Sequence, residues 1–79
     1  MLVDIYRRPE NGGKFSHLAV PEGQPIPEEA TNTDWVGEAA GIELDEALDH
    51  WDRYGIEHPG DQLQRKGYAI TSLDKTTPA

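Results

Sequence analysis

The step Asn11-Gly12, set between two runs of alternating apolar and polar residues, constrains the chain more than any other feature. Asn-Gly is the strongest short-range hairpin signal, because both central residues of the tight turn need positive φ. Leu2-Val3-Asp4-Ile5-Tyr6 alternates before it, and Phe15 to Val20 follows. With a two-residue turn, Ile5 falls opposite Leu18 and Val3 opposite Val20, making one apolar face, while Tyr6 meets His17 and Arg8 meets Phe15 on the other. The expectation is an N-terminal hairpin with one buried and one half-solvated face.

Beyond the hairpin, PEGQPIP at residues 21–27 fixes φ and removes backbone donors, which favours an ordered loop or an extended arm. Residues 28–41 are open: Asn32, Thr33 or Asp34 can cap a helix, but Gly37 and Gly41 oppose a long one. Ile42 and Leu44 flank Glu43, so either a short strand or an irregular lead fits there. Residues 45–54 read as a helix, since Leu44, Ala47, Leu48, Trp51 and Tyr54 fall on one face at about 100° per residue, with Asp45 as N-cap and Gly55 past the end. A second short helix is marked by Pro59 at its start, Asp61 in its first turn, Arg65 and Lys66 in its last, and Gly67 beyond. Tyr68 to Leu73 reads as a final strand. The expected fold is α+β: a small antiparallel sheet, made of the N-terminal hairpin plus a C-terminal strand, with two short helices packed on one face. One domain spans residues 1–73, and residues 74–79 form a flexible tail.

Such a fold must hold by packing alone. The 79 residues contain no cysteine, which excludes disulfides, thiolate metal sites and thiol nucleophiles. Leu, Ile, Val and Phe number 15, a low share that with net charge −8 borders on disorder. The rings of Trp35, Trp51, Tyr6, Tyr54 and Tyr68 supply the missing apolar area. The charge is segregated: residues 1–20 carry net +1, residues 21–62 carry −11 and residues 63–79 carry +2. An acidic middle of that density repels phosphate backbones and anionic lipid, so neither nucleic acid nor membrane is an expected partner, and a basic protein is. The opening MLVDIYRRPE does not read as a secretory signal, and no run approaches the ~20 apolar residues of a membrane span, so a cytoplasmic location is expected.

No motif of catalysis emerges. Asp45, Asp49 and Asp52 lie within about 60° of one another on the expected helix and offer oxygen to a hard cation, but a solvated helix face is the simpler reading, because calcium sites use looped backbone and more ligands. His17, His50 and His58 have no zinc-binding spacing. His17 is expected beside Tyr6 on the sheet, His50 exposed on the helix, and His58 at the entrance to the second helix. Ser16 and Ser72 lack any nucleophile context. Arg7, Arg8 and Lys14, with Tyr6 and Phe15, have the composition of a single-strand-binding tip, against which the overall charge argues. No catalytic residue, metal ligand or cofactor site is assigned, and no feature fixes an oligomeric state.

The stretches VDIYRRPE, LAVPEG, IPEEATNTDW and KGYAIT resemble a family of small bacterial proteins defined as a domain of unknown function, and the likeness covers nearly the whole chain. The resemblance implies a free-standing bacterial domain and transfers no functional residue. The leading expectation is a non-enzymatic accessory or protein-interaction module whose acidic middle meets a basic protein. The alternatives are a binder of a metal cation or small molecule and, third, a small enzyme.

Overall fold

The computed structural model describes residues 1–10, 12–27, 35–72 and the backbone of 77–78. Strands β1 (Leu2–Glu10) and β2 (Lys14–Pro21) form the expected hairpin, and β3 (Val36–Glu43) adds to the free edge of β1. A two-stranded ribbon, β4 (His50–Trp51) with β5 (Ile56–Glu57), precedes the helix α1 (Pro59–Lys66). β6 (Ala69–Ile70) then pairs with β2, as does β7 (Thr77–Pro78) near the hairpin turn. All pairings are antiparallel, and the main sheet runs β3-β1-β2-β6, with β7 beside β2. The α+β class therefore stands, with one helix among the described residues where two were expected.

The hairpin register differs from expectation by one residue. Glu10 pairs with Lys14, so three residues make the connection, and Gly12 and Gly13 both take positive φ (78° and 72°). Ile5 consequently faces Ala19, and Tyr6 faces Leu18, which puts Ile5 and Leu18 on opposite faces. The first face carries Val3, Ile5, His17 and Ala19; the second carries Tyr6, Ser16, Leu18 and Val20. Both are buried along β2, where Ser16 to Val20 form an unbroken buried run. A strand covered on both sides loses the alternation that fixes register, so the turn length decides it.

The first face holds the main core: Val3, Ile5 and Ala19 pack with Leu44, Tyr54, Ile56, Leu63 and Ala69. That face is covered by α1 and by a lid, the connection from Leu44 to His58. The helix follows its local signals, with Pro59 in the first turn, Asp61 near the N-terminus, Arg65 and Lys66 in the last turn, and Gly67 capping in the left-handed region. Gln62 joins it to the sheet in the manner of a strand: its amide donates to the Glu57 carbonyl at 2.6 Å and its Oε1 accepts from the Ile70 amide at 3.1 Å.

The helix expected over 45–54 does not form. Turns run through this stretch instead, with the Leu48 amide bonded to the Asp45 carbonyl (3.0 Å) and the Tyr54 amide to the Trp51 carbonyl (3.0 Å). Asp45, expected to cap that helix, instead closes a local turn, its carboxylate accepting the Ala47 amide at 2.9 Å. Leu44 and Tyr54 reach the core, Trp51 is half-buried against it, and Leu48 is 36% exposed. The segment is crowded with aspartate, which competes for the backbone and favours turns over helix interior. The apolar residues therefore serve as separate anchors of a turn-rich lid.

In the stretch left open by sequence, β3 occupies residues 36–43, while residues 28–34 lie outside the described residues. Two register irregularities against β1 place extra residues on β3, and Gly41 there has φ 64°. The last strand of the main chain is shorter than Tyr68 to Leu73, at two residues. Within the expected tail, Thr77–Pro78 pair with Phe15 and Lys14, and the rest lies outside the described residues.

Candidate interaction surface

The connection from β3 to β4 carries a run of exposed acids. Leu44 fixes its start, buried at 2% exposure and donating its amide to the Met1 carbonyl at 2.8 Å. Asp45, Glu46, Leu48 and Asp49 are exposed along it, as is Asp52 in the turn after β4. The Asp49 carbonyl ties the other end, accepting the His58 amide at 2.7 Å. Glu43 and Glu46 face the Met1 ammonium at 2.8 and 3.7 Å, and hydrogen bonding to Glu43, with added charge attraction, raises the ammonium pKa above its ordinary value.

The lid rests on α1 at one point of very close approach. A Cβ on Gly60 would lie 2.1 Å from the Glu46 carbonyl oxygen, so only glycine lets the acidic turn close down on the helix start. Beside that contact opens a groove of about 420 Å³, lined by Met1, Pro21, Glu46, Asp61, Leu63 and Gln64. Neither the groove nor the exposure of Leu48 follows from sequence, since the periodic stripe places Leu48 in the core. The single sequence signal for the close approach is a glycine directly after the helix-starting Pro59.

Asp45, Asp49 and Asp52 are exposed, as expected for them, but on turns and not on a common helix face. Among the described residues no three histidine, aspartate or glutamate side chains come together as a metal site. His50 and His58 do approach, with ring centroids 6.1 Å apart. His50 Nδ1 contacts the Glu57 carboxylate, which raises the imidazole pKa, chiefly by hydrogen bonding. His58 holds a left-handed backbone at φ 47° and lies 3.9 Å from Asp49. His17 is buried on the first face against Tyr54 (centroids 4.9 Å) and not beside Tyr6, as the shifted register requires. Its Nδ1 has no hydrogen-bond partner among the described residues, and burial lowers its pKa.

The cations near the hairpin turn, where the overall charge argues against a single-strand-binding tip, are drawn apart. Arg7 and Arg8 point to opposite faces of β1: Arg7 lies over Phe15 at 5.0 Å and 3.5 Å from Glu38, whereas Arg8 lies over Trp35 at 4.7 Å and 2.9 Å from Glu10. The Arg8 bond, with a second from Ser16 Oγ at 3.0 Å, lowers the Glu10 pKa. Lys14 is exposed, Tyr6 shares the face of Arg8, and Ser72 is half-buried. Elsewhere Arg53 lies over Tyr54, Lys66 over Tyr68, and Arg65 pairs with Asp61 at 3.2 Å. The four cation–π pairs among the described residues exceed the usual frequency of about one per 70–80 residues. They engage cations away from the 45–49 turn, so its acids keep their charge uncompensated by lysine or arginine within the described contacts.

Among the described residues no helix is long and apolar enough to cross a membrane. Fold and surface together define a small α+β domain in which an antiparallel sheet carries one helix and an acidic, turn-rich lid. Residues 1–77 match the model of a family described as a family of unknown function (DUF6139), and the chain belongs to that family. No curated protein and no solved structure matches it.

Proposed function

We propose that this chain is a non-enzymatic interaction or accessory module of the bacterial cytoplasm, which meets a basic protein surface through its acidic lid. The observation that carries the reading is the exposure of Asp45, Glu46, Asp49 and Asp52, with Leu48 exposed in the same segment, while most arginines lie against rings or carboxylates elsewhere. Acidic charge in excess of the cations beside it steers a partner of opposite sign, and an exposed apolar side chain in the same segment supplies area that water leaves on contact. Phosphate backbones and anionic lipid headgroups are repelled by the same field, so neither is the proposed partner.

The polar groups near histidine support a structural and not a catalytic use. Thr71 Oγ1 donates to the Tyr54 carbonyl at 2.6 Å and accepts the His17 amide at 2.8 Å, which stitches the lid to β2. Ser16 Oγ serves Glu10. The test is affinity capture from a native bacterial lysate on the immobilised chain, in parallel with the triple variant Asp45→Asn, Asp49→Asn, Asp52→Asn. A basic protein retained in stoichiometric amount at low salt, released by ~0.5 M NaCl and missed by the variant, is the expected result. Equal retention by the variant, or retention indifferent to salt, contradicts the reading.

A further inference from the structure

We propose that the groove between the N-terminal residue and α1 receives one arginine or lysine side chain of the partner, an inference that rests on the acidic-surface reading above and locates its anchor. The groove joins two chemistries. Met1, Pro21 and the buried Leu63 give it apolar surface, and its lining includes Glu46 and Asp61, whose side chains are 64% and 57% exposed and already face the Met1 ammonium and Arg65. At about 420 Å³ it lies within the ~300–1,000 Å³ of ordinary ligand sites.

Glu43, Glu46 and Asp61 outnumber the Met1 ammonium and Arg65 with which they pair, so an anion is disfavoured there. A neutral apolar group would strip water from two carboxylates without replacing it. A long cation satisfies both demands, laying its methylenes along the walls and its charged head between the acids. The molecule already uses this arrangement within itself, since the Met1 ammonium bonds Glu43 at 2.8 Å and the Leu44 carbonyl at 2.9 Å and faces Glu46 at 3.7 Å. The pairing of Asp61 with Arg65 is exposed, so an incoming cation displaces it at little cost.

The source of the cation is a protein segment and not a free amine. Negative charge continues past the groove through Asp45 and Asp49 to Asp52, all exposed. A single small amine meets only the groove, whereas a basic segment meets the groove and the charged turn together, and linked contacts reinforce one another.

The probe is a capped octapeptide of alternating arginine and serine, titrated into the isotopically labelled full chain in ~20 mM salt while backbone amide shifts are followed. The expected shifts centre on Glu46, Gly60, Asp61 and Leu63. The double variant Glu46→Gln, Asp61→Asn, with its shift dispersion intact, should bind roughly tenfold more weakly, because it loses two charge pairs. Shifts confined to Asp45, Asp49 and Asp52, with the double variant unaffected, overturn the groove and leave the acidic-surface reading standing. No shifts at all overturn both. n-Butylguanidine binding as tightly as the peptide, with the same shifts, overturns the protein source.

Discussion

The β1–β2 hairpin and the lid from Leu44 to His58 make the same core in different ways. In the hairpin, long paired strands bury Val3, Ile5, Leu18, Ala19 and Val20 completely, and backbone pairing fixes where each side chain goes. In the lid only two residue pairs of ribbon are present, and Leu44, Tyr54 and Ile56 are set into the core one at a time by turns. The hairpin is thus specified by a ladder. The lid is specified by a few contacts, among them the Thr71 hydroxyl on Tyr54 and Gly60 against Glu46. Sequence variation should be felt across the whole hairpin, but in the lid only at those points.

The largest effect should come from Leu18→Ala, which empties a fully buried site on the second face and should cost about 3–4 kcal/mol in denaturant unfolding. Because Ile5 lies on the opposite face, Ile5→Val, worth about 1 kcal/mol, should add to it within roughly 0.5 kcal/mol. Coupling well above that would mean that the two side chains share a face and that the register is the two-residue-turn one. Next in size is Gly60→Ala. Its Cβ would strike backbone and not a flexible side chain, so the lid must move, at about 2–3 kcal/mol. Gly37→Ala, with open space around its Cβ, should cost under about 1 kcal/mol. Equal costs at the two positions would show that the lid is not tightly seated.

What sequence shows and what it hides divides along the same line. The hairpin and α1 are legible because their signals are local: Asn11-Gly12 between alternating runs, and Pro59, Asp61, Arg65, Lys66 and Gly67 at their helical places. The register is hidden because both faces of β2 are buried and Asn11-Gly12-Gly13 admits two turn lengths. The lid misleads for another reason. Leu44, Ala47, Leu48, Trp51 and Tyr54 have helical spacing, yet aspartate-rich turns and the close approach of α1 decide the backbone, and these depend on tertiary contact. The acids of the candidate surface are visible as composition; the groove lined by Met1, Pro21 and Asp61 is not, because it joins three distant parts of the chain.

The two regions also differ in how a histidine responds to pH, a smaller effect. His17 in the sheet is held below its ordinary pKa, so the unfolded chain takes up the proton first; its contribution is present above about pH 6.5 and is lost as pH falls through the folded value. His50 in the lid is held above its ordinary pKa by Glu57, so its contribution is present below about pH 6.5 and is lost as pH rises through the folded value. His17→Gln should flatten the acid limb of a stability profile, and His50→Gln the alkaline limb, the latter weakly because the ring is exposed. Exchange of these two signatures would contradict the placement of both rings.

The central claim is that Asp45, Glu46, Asp49 and Asp52 carry more negative charge than the cationic groups beside them among the described residues, the Met1 ammonium facing Glu46 and His58 near Asp49, can offset. If so, mutual repulsion among Asp45, Glu46, Asp49 and Asp52 opposes folding, and salt relieves it, since the screening length falls to a few ångströms near 0.5 M. Thermal unfolding of the full chain at pH 7 in ~20 mM and in ~0.5 M NaCl measures this directly. The account predicts a higher Tm in the high-salt sample, with the rise reduced in the Asp45→Asn, Asp49→Asn, Asp52→Asn variant. A lower Tm in high salt would mean that ion pairs such as Arg7–Glu38 and Arg8–Glu10 dominate, and would remove the physical ground for a basic partner.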